Sequence, residues 1–208
     1  MSAPTELLLV RHGRTDWHSP NRYTGRSDIG VDEVGAAQAA RLGRWSRGAA
    51  LTGLYSSPMV RTLATAQPVS EATGLPVERR KPLREIDFGV AEGHTVQEMS
   101  DIDAAAVEAF LADPVTGHWP GGDDPELRAT AAAADLAEIA STNPGGRVLV
   151  VTHSTLLRLV LCRLLGIPLS RYRQAIGRPE PAAVSTLRWD GVGLATLAAF
   201  NVRIPEGS

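Results

Sequence analysis

The sequence holds a single cysteine, Cys162, in 208 residues. One thiol can neither close an intrachain disulfide nor build a thiolate metal cluster. Its setting, LLRLVLCRLLG, reads as a small buried core side chain. Long apolar runs are missing as well. The longest, 7–10 and 148–151, have the length of buried strands and fall far short of the roughly 20 residues a membrane-spanning helix needs. The opening MSAPTELLLVRHGRT has no basic stretch ahead of its short apolar run, which argues against a secretory leader and for a cytoplasmic location. No basic face is visible either. Net charge is −2, with 21 Lys and Arg interspersed among 23 Asp and Glu, whereas a polyanion such as DNA needs several phosphates neutralised together. Nucleic acid and membrane are therefore not expected partners. There are no internal repeats, and the Ala-rich stretch 129–140 is a helix former rather than low complexity.

What remains suits one globular domain over 1–208: 43% of residues are apolar and 21% charged, and no linker divides the chain. Apolar and turn-rich segments alternate. Strands are expected at 6–10, 53–56 and 147–152, with two more at 183–189 and 194–201 around the Asp190–Gly191 turn. Helices are expected at 32–47, 58–72, 96–111, 125–141 and 156–165. The first carries acids in its opening turn and arginines in its last, and Gly166 and Pro168 close the last helix. Between 113 and 124 the run DPVTGHWPGGDD reads as an irregular loop. Very apolar strands alternating with helices predict an α/β fold, three layers α/β/α around a mostly parallel central sheet.

Ligands of such sheets collect at the carboxyl ends of the strands. Two histidines fall there: His12 after LLLV and His153 after VLVV. Alone, each would more often be a loop residue bonded to backbone. Their neighbours change that. RHGRT at 11–15, SSPMVRTLATA at 56–66, LREIDFGVAEG at 83–93 and VTHST at 151–155, with the softer NRYTGRSDIGVDEVGAAQA at 21–39, resemble the histidine phosphatase (phosphoglycerate mutase-like) superfamily. Order and spacing match over about residues 5–165.

The resemblance implies a metal-independent phosphatase that cleaves a small-molecule phosphate monoester through a phosphohistidine on His12. It needs no cofactor, and a homodimer is compatible with it. Arg11, Arg61 and His153 would complete the phosphate pocket with His12, helped by His18, Thr24, Gly25 and Ser154. The residue types are sensible for the chemistry. Phosphoryl transfer relies on positioning and on stabilising dispersed negative charge, and guanidinium forks suit phosphate oxygens. A neutral imidazole is a competent nucleophile near neutral pH. Surrounding cations should lower the pKa of His12, while a protonated His153 would add positive charge opposite the attacking nitrogen. By resemblance Glu85 is the general acid and base. Asp87, two residues on, competes for that role, and Glu92 is expected to cap the helix near Thr95. No metal-site spacing surrounds His94 or His118.

The chain departs from the family's opening RHGxTxxN by placing His18 at the Asn position. It has Arg14 where Glu is frequent and Ser154 where Gly usually follows the second histidine. Arg14, Arg22, His118 and Trp119 are the expected specificity contacts. Two other functions stay open. A phosphoglycerate mutase is one, although the chain lacks the mutases' LNERxYG and the longer insertion after it. The other is a non-catalytic phospho-ligand or protein-binding module on the same fold.

Overall fold

The computed structural model describes residues 3–205; the outer ends of the expected domain, 1–2 and 206–208, lie outside the described residues. Among the described residues, six strands form one sheet in the order β3-β2-β4-β1-β5-β6. They are β1 (Thr5–Arg11), β2 (Gly53–Ser56), β3 (Glu78–Arg79), β4 (Arg147–Thr152), β5 (Val184–Trp189) and β6 (Thr196–Val202). The first four run parallel, and β5 joins the free side of β1 antiparallel, followed by β6.

The alternation of a strand sorts its side chains to the two faces. Leu7 and Leu9 of β1, with Val148 and Val150 of β4, enter one core together with Leu136, Ile139, Leu157 and Leu161. These last four come from α5 (Pro125–Thr142) and α6 (Ser154–Leu165). Leu8, Val10, Leu149 and Val151 enter the opposite core, against Leu42 of α1 (Glu33–Ser46) and Ala66 and Val69 of α2 (Val60–Thr73). The result is the three-layer α/β/α arrangement with a mostly parallel sheet that the sequence predicts.

Several boundaries differ from expectation for local reasons. The helix expected over 96–111 is two, α3 (Val96–Ile102) and α4 (Ala104–Ala112). Asp103, at φ −151° and ψ 86°, ends the first and caps the second by accepting a bond from the Ala106 N–H. The expected 156–165 helix starts at Ser154, with His153 as its N-cap. The two-residue β3 and the single turn α7 (Tyr172–Ala175) carry too little periodicity to be read from sequence.

One close approach sets the entry to the site. Asp32 caps α1 by accepting from the Gly35 N–H at 2.8 Å. A Cβ on Gly35 would lie 2.0 Å from the Arg14 carbonyl oxygen, so the helix end sits directly on the loop that follows His12. Gly35→Ala must push the two apart. It is expected to cost about 1–3 kcal/mol, visible as a Tm lowered by several degrees and a loss of activity larger than that of Gly48→Ala, where a Cβ meets open space. Equal effects of the two substitutions would show that this contact does not matter.

Candidate active site

Parallel pairing carries the site. Arg11 of β1 stands beside Thr152 of β4, and the His12 N–H donates to the Thr152 carbonyl at 3.0 Å. His12 and His153 therefore leave adjacent strands at the same edge, their ring centroids 5.3 Å apart. Nδ1 of His12 lies 2.8 Å from the Gly13 carbonyl oxygen. That oxygen only accepts, so Nδ1 carries the hydrogen and Nε2 keeps its lone pair. Burial, then Arg11 and Arg61, holds the pKa of His12 well below the usual histidine value, which favours the neutral ring with its Nε2 lone pair free.

Arg61 projects from α2 and is completely buried. It donates through Nη1 to Ser27 O (2.8 Å) and through Nη2 to Gly25 O (2.9 Å) and Thr24 O (3.3 Å). Its Nε donates to His153 Nδ1 at 3.2 Å. The remaining ring nitrogen, Nε2–H, then donates to Ser57 Oγ at 2.9 Å. Burial, followed by Arg61 and His12, depresses the pKa of His153. This corrects the expectation of a protonated His153: beside a guanidinium that already donates to it, a second buried cation is disfavoured. The fixed positive charge at this spot belongs to Arg61.

The loop that receives Arg61 is itself held by Glu92. Oε1 accepts from Gly25 N (2.7 Å), Arg26 N (3.1 Å) and Phe88 N (3.1 Å), and Oε2 accepts from Ser27 N (3.2 Å) and Ser27 Oγ (2.7 Å). Glu92 is thus not the helix cap. Thr95 and Glu98 form the capping box of α3, because Glu98 occupies its third position as that motif requires. Gly25 is needed for its size, since a Cβ there would meet Ile86 O at 1.9 Å. With its N–H given to Glu92 and its carbonyl to Arg61, it shapes the pocket wall and has no free donor for a ligand.

Glu85 lines the same cleft as His12, buried against the N-terminus of α6. Oε2 accepts from Thr155 N (2.9 Å), while Oε1 accepts from Leu156 N (2.8 Å) and Ile86 N (3.1 Å). Burial raises its pKa, opposed by those three N–H groups. Asp87 faces away, accepting from Gly89 N at 2.8 Å and pairing with Arg26 at 3.3 Å. Only Glu85 of the two lines the cleft.

The cleft, of about 310 Å³, is also lined by Arg11, His12, His18, Arg22, Thr24 and Ser154. Arg11 donates through Nη1 to Pro179 O (2.9 Å) and through Nη2 to His18 Nε2 (2.6 Å). His18 Nδ1 in turn faces the Thr15 N–H at 3.1 Å and Thr15 Oγ1 at 3.0 Å. Burial and the neighbouring Arg11 lower its pKa to about 3, so His18 stays a neutral acceptor for Arg11. Three expected specificity contacts sit elsewhere. Arg14 is exposed and paired with Asp32 at 2.7 Å. Trp119 is buried in the core, its ring 4.7 Å from Phe110 and 5.4 Å from Tyr23. His118 bonds Val115 O at 2.8 Å and lies behind the same aromatic wall. The loop 113–124 therefore packs the wall from behind. Arg22 does reach the cleft, tied to Glu98 at 2.6 Å. Sequence reasoning missed Arg158, Arg173 and Arg178, which also line the cleft. Among the described residues no group of three or more His, Cys, Asp or Glu is placed to hold a metal ion.

Comparison with known proteins gives a consistent picture. The model of the histidine phosphatase superfamily (branch 1) matches residues 7–202. A relative from Salmonella choleraesuis (strain SC-B67), named probable phosphoglycerate mutase GpmB, is 29% identical over 163 residues, 78% of this chain and 76% of its own. The structure of Bacillus stearothermophilus YhfR superposes with a TM-score of 0.88 at 27% identity, over 98% of this chain and 100% of its own. That of a mycobacterial glucosyl-3-phosphoglycerate phosphatase superposes with a TM-score of 0.86 at 25% identity, over 96% and 99%.

The Glu92 network makes a distinct prediction. Glu92→Ala leaves four backbone N–H groups and the Ser27 hydroxyl without their carboxylate, and charge-assisted bonds of this kind contribute about 1.5–3 kcal/mol each. Activity should fall at least tenfold with a lowered Tm, and Glu92→Gln, which keeps one acceptor oxygen, should be intermediate. Full activity in Glu92→Ala would show that Arg61 holds its place without the loop.

Proposed function

This chain belongs to the histidine phosphatase superfamily (branch 1), and we propose that it hydrolyses a small-molecule phosphate monoester through a phosphohistidine on His12. One observation carries the reading. His12 is a buried neutral imidazole whose Nε2 lone pair is left free by the Nδ1–Gly13 bond, set in a cleft between Arg11 and Glu85.

In the first step Nε2 attacks phosphorus, the ester P–O bond breaks, and Glu85 gives its proton to the departing alkoxide. Oε2 of Glu85 accepts one backbone bond where Oε1 accepts two, which leaves it a position for that proton. In the second step water attacks the phosphohistidine, Glu85 takes the water proton, the P–N bond breaks and inorganic phosphate leaves. Arg11 supplies positive charge to the phosphoryl oxygens throughout, and Arg61 supports from behind His153.

Phosphoglycerate mutase-type transfer is the second reading, favoured by the name of the GpmB relative. A mutase must hold its phosphoenzyme away from water. In this chain the cleft is bordered by the exposed Asn21, Leu111 and Arg178, an open rim that favours hydrolysis.

The pH dependence of kcat/KM tests the assignment. The free enzyme must have His12 neutral and Glu85 protonated. His12 is depressed and Glu85 raised, so the acidic limb should lie below about pH 6.5, the unperturbed histidine value. The alkaline limb should report Glu85 and disappear in Glu85→Gln, with vanadate still bound. An acidic limb at or above about pH 6.5, or a stronger defect in Asp87→Asn than in Glu85→Gln, would contradict these roles. Turnover should persist in EDTA; a strict divalent-ion requirement would count against the mechanism.

A further inference from the structure

Beyond the phosphoryl site, the cleft has a second concentration of charge. Arg158, Arg173 and Arg178 line it together with Arg11, and Glu85 is the one carboxylate among the lining residues. Arginines elsewhere in the chain, such as Arg80, Arg147 and Arg203, are paired with carboxylates. The three in the cleft instead contact neutral groups. Arg178 donates to Asn21 Oδ1 at 2.6 Å. Arg158 donates to Ile176 O at 3.0 Å, with its guanidinium 4.7 Å from the Tyr172 ring centroid. Arg173 donates to the Tyr172 hydroxyl at 3.1 Å and stacks 4.2 Å from the Phe110 ring centroid.

These contacts leave donors of each guanidinium unspent while fixing its position. The groups also feel one another in sequence: Arg178 acts on Arg11, and both Arg178 and Arg173 act on Arg158. Gathering like charges in a partly buried cleft opposes folding unless an anion offsets them. The phosphoryl group can offset Arg11. Arg158 and Arg173, beside Tyr172, and Arg178 are left for something else.

We infer that Arg158, Arg173 and Arg178 form a subsite for a second anionic group, a carboxylate or a second phosphate, carried by the substrate at the end remote from its reacting phosphoryl group. This rests on the phosphatase reading for which end reacts. The recognition itself is a matter of binding and can be measured without turnover.

The test is calorimetric titration with non-hydrolysable ω-phosphonoalkanoates of graded chain length, each against the alkylphosphonate of the same length, with α,ω-bisphosphonates as a third series. At its best length the second anion should tighten binding by about tenfold or more. The carboxylate and bisphosphonate series together show which anion the subsite takes. In Arg173→Met and Arg178→Met the ratio of doubly to singly anionic ligand should fall toward one, and Arg173→Lys, which keeps the charge and the fold, should recover part of it. A ratio near one at every length in the wild type, or a ratio unchanged by both Met variants, overturns the subsite. Hydrolysis is scored apart: preferential binding without cleavage of any matching phosphate ester would sink the phosphatase reading and leave the subsite standing.

Discussion

Parallel pairing between Thr5–Arg11 and Arg147–Thr152 is the constraint from which the rest of the site follows. It aligns Arg11 with Thr152 at the carboxyl end of the sheet and so delivers His12 and His153 to one place from positions 141 residues apart, counting from 12 to 153. Neither side chain could be held there by its own loop. The strands can, because they are buried on both faces by apolar side chains that admit no slip: a shift of one residue would turn Leu8 and Val10 into the wrong layer. The helix that follows the second strand then presents N–H groups of its first turn to Glu85, so the same strand-to-helix connection also positions this carboxyl group.

Electrostatics divides labour among groups that look alike in the sequence. The two strand-end histidines are both neutral, but each is set by a different partner. A backbone carbonyl holds the hydrogen of His12 on Nδ1 and frees Nε2. Arg61 occupies Nδ1 of His153 and sends its hydrogen to Ser57. The two acidic neighbours of the 85–87 segment diverge in the same way, one buried on a helix end and the other paired with Arg26. Positive charge is kept on arginines, which do not give it up, and the histidines are left as neutral groups.

Much of this was legible in the sequence. Apolar runs ending in Arg-His and Thr-His mark strand ends in a parallel sheet, and the resemblance of the Arg61 and Glu85 motifs to a known family supplied the remaining parts. The residues that escaped did so for physical reasons. Trp119 and His118 sit in a loop rich in Pro and Gly, the composition of an exposed binding segment, yet Tyr23 and Phe110 draw the indole into the core. Glu92 serves a loop more than sixty residues before it, a contact no local pattern encodes. Its supposed task is done by Glu98, whose T-x-x-E spacing was readable. Arg173 and Arg178 come from a single helical turn and the segment after it, near the end of the chain, brought to the cleft only by tertiary packing.

The central claim is that phosphate passes through the free nitrogen of His12. It is tested most directly by rapid acid-free quenching of the enzyme with a radiolabelled monoester and mapping the protein-bound label. The expected result is acid-labile, base-stable phosphate on the peptide containing His12, formed and lost at rates that match turnover and absent from His12→Ala, which should be inactive. Normal turnover by His12→Ala, or label on another residue at a rate that supports turnover, would contradict it.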